Sequence, residues 1–133
     1  MHKTERRVLL LNRANVASVT NMTLQVGSVT KHPANPLFSE DQSWEQRIDN
    51  LYGNIVFDTE QGLYRCWYSP FIVAHSAQGM TLQQRLESTF EAHEHQEMGV
   101  CYAQSRDGIR WEKPVLGRVE DAGSKLNNLV MRK

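Results

Sequence analysis

Two short stretches of the 133-residue sequence concentrate side chains able to do chemistry. Trp44-Glu-Gln-Arg-Ile-Asp-Asn50 carries carboxylates at 45 and 49, a guanidinium at 47 and an indole at 44, and Glu91-Ala-His-Glu-His-Gln-Glu97 sets His93 and His95 among three glutamates. The second stretch has the side-chain types of a metal site. On a helix, however, positions two apart point about 200° apart, so His93 and His95 cannot share one ion, whereas His93 and Glu97 at i and i+4 lie on one face. No His-Glu-x-x-His sequence is present, and a solvated helix face accounts for these residues, so neither a metal nor a cofactor is expected. Cys66 and Cys101 are too few for a disulfide framework and too far apart for a Cys-x-x-Cys site; with no His or Lys beside either to lower a thiol pKa, both are expected to be reduced and buried.

The elements that must position these groups are legible from pattern. Leu51 to Phe57, the turn-forming Asp58-Thr-Glu-Gln-Gly62 and Leu63 to Ser69, with Tyr64, Trp67 and Tyr68, read as strand, turn and strand. Gly99 to Ser105 and Ile109 to Glu112 flank Arg106-Asp-Gly108, and Asp-Gly between two such runs marks a second hairpin. Between the hairpins Leu82, Leu86 and Phe90 recur every four residues among Gln, Glu, Arg and His, the stripe of an amphipathic helix over about 80–97 within an insertion at 78–98. Residues 1–50 read as an extended arm and loops, in which Leu24 and Val26 alternate as in a strand and the prolines at 33 and 36 exclude helix. Residues 114–133 read as a tail in which a further strand begins near Asn127.

Length and charge bound the whole. The chain is one domain's worth, 1–133, with fifteen Lys and Arg against fifteen Asp and Glu and 40% hydrophobic residues. A balanced charge gives no clustered cationic surplus for phosphates, so neither nucleic acid nor an anionic membrane surface is an expected partner. The apolar run Val8 to Leu11 is shorter than the ~7–15 residues of a signal core, and no stretch approaches the ~20 apolar residues of a membrane span. A cytoplasmic protein is expected.

Several motifs together point to a family. Lys31-His-Pro-Ala-Asn-Pro-Leu-Phe38, Ser43-Trp-Glu45, Tyr52-Gly53 with Phe57-Asp58, Tyr64-Arg-Cys-Trp-Tyr-Ser69, Val100-Cys-Tyr-Ala-Gln-Ser-Arg-Asp-Gly-Ile-Arg-Trp-Glu-Lys-Pro114, Leu116-Gly117 and Asn127-Asn128 stand in this order. They resemble the N-terminal part of five-bladed β-propeller glycosidase-like proteins, the invertase, levansucrase and arabinanase group of glycosyl hydrolase families 32 and 43. The resemblance runs from about residue 8 to the C-terminus. It implies a mainly β fold: a single four-stranded antiparallel propeller-blade-like sheet, with strands at 51–58, 63–69, 99–105 and 109–113, one inserted helix and an extended N-terminal arm. A propeller closes with ~4–8 blades of roughly 40–50 residues, so this length holds about one.

In enzymes of this resemblance, carboxylates from successive blades meet at a central funnel. The innermost strand would be 51–58, which places Asp49 and Glu45 as candidate catalytic carboxylates, Arg47 and Asn50 as substrate-binding groups and Trp44 as a sugar-stacking platform. Each has a second reading, Trp44 as a core plug and the carboxylates as solvated or paired groups. Glycoside hydrolysis needs two carboxyls ~5–5.5 Å or ~6.5–9.5 Å apart, and one blade carries at most one of the family's set. The expectation is a truncated or miniaturised relative that binds carbohydrate without hydrolysing it alone. A self-associating interaction module is the alternative, since a lone sheet has open edges, and a glycosidase active only as an assembled oligomer is the third.

Overall fold

The computed structural model describes residues 14, 16–48, 51–74, 79–89 and 96–132. Two units are distinguished, one ending at His32 and the other beginning at Pro33. In the first, residues 16–32 contain no strand, and Met22, Leu24, Val26 and Val29 are exposed. The alternation at Leu24 and Val26 therefore does not become a ladder: without a paired neighbour, a two-residue pattern has nothing to hold its backbone groups.

The second unit is mainly β, an antiparallel sheet of five strands with one short helix: β1 (Asn54–Asp58), β2 (Leu63–Tyr68), β3 (Phe71–Val73), α1 (Leu82–Glu87), β4 (Glu97–Ser105) and β5 (Leu129–Arg132). β1 and β2 form the expected hairpin, from Asn54 opposite Trp67 to Asp58 opposite Leu63. Its turn closes because Asp58 Oδ1 accepts from the Glu60 and Gln61 N–H groups and Gly62 takes φ 64°. β4 is the spine. Along one edge it pairs with β2, Tyr64 opposite Ser105 through Tyr68 opposite Cys101, and then with β3, Phe71 opposite Met98.

β2 and β3 thus follow one register, interrupted at Pro70, which has no N–H for the ladder. The Pro70 carbonyl still accepts from the Gly99 N–H at 3.1 Å, so the strand direction is kept. Gly99 matters for another reason: a Cβ there would lie 2.3 Å from Ile72 Cδ1 and 3.1 Å from Leu129 Cδ2. On its other edge β4 pairs with β5, Val100 opposite Met131.

Two expectations need correction. The strand expected at 109–113 is a single bridge, Gln104 to Glu112. Asp107 Oδ1 accepts from the Ile109 and Arg110 N–H groups, and Ser105 Oγ accepts from the Gly108 N–H, which spreads the Asp-Gly turn into a wider loop and leaves the outer position mainly to β5. The helix expected over 80–97 is Leu82–Glu87. It starts on a capping box, Thr81 with Gln84, and stops at Ser88, whose backbone is extended, while Glu97 and Met98 pair with β3. Tertiary pairing there overrides the helical pattern, since a ladder satisfies backbone groups that the helical stripe alone does not hold. Phe90, His93 and His95 lie outside the described residues, as do the arm up to Arg13 and the boundary at Gln78.

Period-two alternation assigns the core to one face of the sheet. Cys66, Tyr68, Ile72, Cys101, Ala103 and Leu129 are buried together, covered by Phe38, Trp44, Ile48, Leu51, Trp111 and Val119 from the loops. Phe38 meets the Tyr68 ring edge-on with centroids 4.6 Å apart. The opposite face carries the Trp67–Tyr102 ring pair at 5.5 Å, with the Tyr102 hydroxyl accepting from Arg65 at 2.9 Å.

Candidate functional site

The loop 38–48, stretched across the core face, carries Trp44, Glu45 and Arg47. Phe71 holds its end: the Phe71 N–H donates to the Arg47 carbonyl at 2.9 Å and the Gln46 N–H donates to the Phe71 carbonyl at 3.0 Å. The loop is thereby fastened to β3 at Arg47 and, through its side chains, to the sheet beneath.

Glu45 is enclosed in this packing. Its Oε1 accepts from the Tyr68 hydroxyl, and its Oε2 accepts from Lys113 Nζ at 2.7 Å and from the Asp41 N–H at 3.1 Å. None of the Glu45 side chain is exposed. The same Tyr68 hydroxyl accepts from Asn128 Nδ2 at 2.7 Å, and Asn128 Oδ1 accepts from the Trp44 indole N–H at 2.8 Å. A chain of hydrogen bonds therefore runs from Lys113 through Glu45, Tyr68 and Asn128 to Trp44. Every link fills a donor or acceptor that burial would otherwise leave unsatisfied. Burial and the facing Glu45 carboxylate push the Tyr68 phenol well above its ordinary pKa. Trp44 packs on the core with its polar edge engaged, the core-plug reading of this residue.

Arg47 is placed differently. Its guanidinium lies over the Phe71 ring, 4.7 Å from the centroid, and its side chain forms part of the wall of an open groove of about 550 Å³. Glu40, Ile48 and Phe38 from the loop and Leu82, Arg85 and Leu86 from α1 line the same groove. Arg85 grips Glu40 with both terminal nitrogens, at 3.0 and 3.2 Å, and the Ile48 N–H donates to the same carboxylate at 2.7 Å. Burial alone would raise the Glu40 carboxyl; the Arg85 guanidinium and the Ile48 N–H outweigh it and hold the pKa below the ordinary carboxylate range. The groove thus presents fixed charged hydrogen-bonding groups beside apolar surface, the mixture that orients a polar ligand.

Asp49 and Asn50 lie outside the described residues. Of the remaining sequence candidates, Arg47 reaches the groove, whereas Glu45 and Trp44 are joined beneath the loop. Comparison with protein-family models, curated proteins and solved structures finds no match to this chain.

Glu40, Arg85, Lys113 and Asn128 were missed by sequence reasoning. Lys113 and Asn128 sit inside quoted motifs, Trp-Glu-Lys-Pro and Asn-Asn, so a signal existed at both positions. Glu40 and Arg85 stand 45 residues apart with no local pattern to join them. Among the described residues no helix is long and apolar enough to cross a membrane, and no group of three metal-ligating side chains occurs.

Proposed function

We propose that this chain is a blade-like relative of the β-propeller glycosidase-like proteins that binds carbohydrate in the groove beside α1 and does not hydrolyse glycosides alone. The observation that carries the reading is that Arg47 lines the same 550 Å³ groove as the paired Glu40 and Arg85. Guanidinium and carboxylate groups in fixed geometry suit the hydroxyls of a sugar, and Phe38, Ile48 and Leu82 supply surface for its C–H faces. Hydrolysis needs a second carboxyl at ~5–5.5 or ~6.5–9.5 Å from the first and in a different environment. Among the described groove residues Glu40 is the single carboxylate, and it is bound by Arg85.

Calorimetric titration with fructan, arabinan and mannan oligosaccharides tests this. Saturable binding that weakens in Arg47→Gln and Arg85→Gln, with no release of reducing sugar, is expected; absence of binding to every oligosaccharide sinks the reading. A second reading, a self-associating module, is favoured by one observation, the apolar side chains exposed along β1 at the edge of the sheet.

A further inference from the structure

We infer that β1 pairs in antiparallel fashion with β1 of a second copy of this chain, in the register that sets Val56 opposite Val56. The inference rests on the self-association reading and names its surface and register. β1 is the terminal strand of the described sheet, joined on one side to β2. Three consecutive large apolar side chains, Ile55, Val56 and Phe57, are 55%, 55% and 48% exposed, though they alternate between the two faces. An edge strand is ordinarily protected by lysine, proline or an inward charge. Asn-Ile-Val-Phe-Asp has none of these in its interior. Its one charge, Asp58, sits at the turn and is already matched by Arg65, whose Nε donates to Oδ2 at 2.9 Å.

The sequence of β1 is self-complementary about its centre. A two-fold axis at Val56 opposes Ile55 to Phe57 of the second copy on one face, and Asn54 to Asp58 on the other, so apolar meets apolar and an amide donor meets a carboxylate. The neighbouring registers lose this match: an axis at Phe57 sets Val56 against Asp58, and an axis at Ile55 sets Val56 against Asn54. Both strands then continue into their own β2, and the two sheets become one.

Light scattering on the full chain, with three variants, tests the inference. Opposed residues in an antiparallel pair have Cα atoms about 4.5 or 5.5 Å apart, within disulfide reach. Under mild oxidation Val56→Cys is therefore expected to cross-link to its own copy. Asn54→Cys is not, because the two substituted positions would lie four residues apart along the strand, about 13 Å. Val56→Lys, which opposes two lysines on the axis, is expected to run as a monomer with an unchanged far-ultraviolet spectrum. A monomer mass for the unsubstituted protein at high concentration overturns both the inference and the self-association reading. A dimer that Val56→Cys does not cross-link, or that Asn54→Cys cross-links equally well, overturns the inference alone and assigns the contact to another surface, such as the exposed apolar residues of 16–32.

Discussion

Lys113 Nζ lies 2.7 Å from Glu45 Oε2, with 6% of the lysine side chain and none of the glutamate side chain exposed. The ammonium also contacts the Ser39 carbonyl at 2.9 Å and Asp41 Oδ1 at 2.7 Å, and it rests over the Phe38 and Tyr68 rings. One residue from the far loop therefore ties the 38–48 loop to the core. Removing one member of such a pair strands a buried charge, at a cost of about 3–5 kcal/mol. Lys113→Met is expected to lower the free energy of urea unfolding by that amount, and adding Glu45→Gln is expected to restore part of it. An additive or larger loss in the double variant would show the two residues to be uncoupled.

Asn128 is fully buried and joins three partners: the Trp44 indole, the Tyr68 hydroxyl and the Tyr102 carbonyl, to which its Nδ2 donates at 2.7 Å. Asn128→Leu keeps the volume and removes the hydrogen bonds, leaving partners unsatisfied at about 1–3 kcal/mol each. Chemical denaturation should show a loss of at least one such increment, with quenched or shifted Trp emission in the folded state. Unchanged stability would mean that water replaces the amide.

Gly99→Ala inserts a methyl group against Ile72 and Leu129 where Gly99 passes closest to the core. Overpacking of this kind costs roughly 1–3 kcal/mol. Pairing the substitution with Ile72→Val is expected to recover part of the loss, since the atom met at 2.3 Å is the Ile72 Cδ1 that valine lacks. Thermal melts of the two variants decide it.

Acid sensitivity follows from the lowered carboxyls. Glu40 and Asp41 are held below their ordinary 4.5 and 3.8: burial would raise both, and hydrogen bonds from Arg85 and Lys113 respectively outweigh it. The Arg132 guanidinium, first of all by its hydrogen bonds, lowers Glu97 from 4.5. A folded pKa below the unfolded one contributes stability that is present above the unfolded value and is lost as pH falls through the folded one. Urea midpoints measured from pH 6 downward should begin to fall near pH 5 and continue to fall below 4. Arg132→Leu should flatten the part due to Glu97.

At the alkaline end the sign reverses. Burial, reinforced by Glu45, pushes the Cys101 thiol from 9.0 up to about 12, and burial raises Cys66 as well. The folded state therefore disfavours the thiolate, so stability is retained below pH 9 and lost as pH rises from 9 toward 12. Neither thiol should react with a disulfide reagent at pH 8 until the protein unfolds, when both should react together. Rapid labelling of the native protein would contradict the burial of this face.

Pattern and turn chemistry were enough for the first hairpin and for β4. The alternating aromatics of Leu63–Tyr68, the Gly62 turn and the apolar run ending in Ser105 state a local preference that the ladders simply extend, so the first hairpin and β4 are where the residues predict them. The mainly β class follows from these alone. Tertiary structure decided what pairs with what. The edge of β4 expected for 109–113 goes mainly to Leu129–Arg132, because side-chain hydrogen bonds at Ser105 and Asp107 hold the intervening loop open. Glu97 and Met98 pair with β3 despite lying in a helical pattern. The fate of the charged residues was likewise hidden: Glu45 and Arg47 are two apart, equally polar in sequence and both buried, yet one is enclosed by Lys113 and Tyr68 while the other lies over the Phe71 ring in the wall of a groove. Desolvation and pairing depend on partners 23 to 68 residues away, and no local spacing encodes those distances.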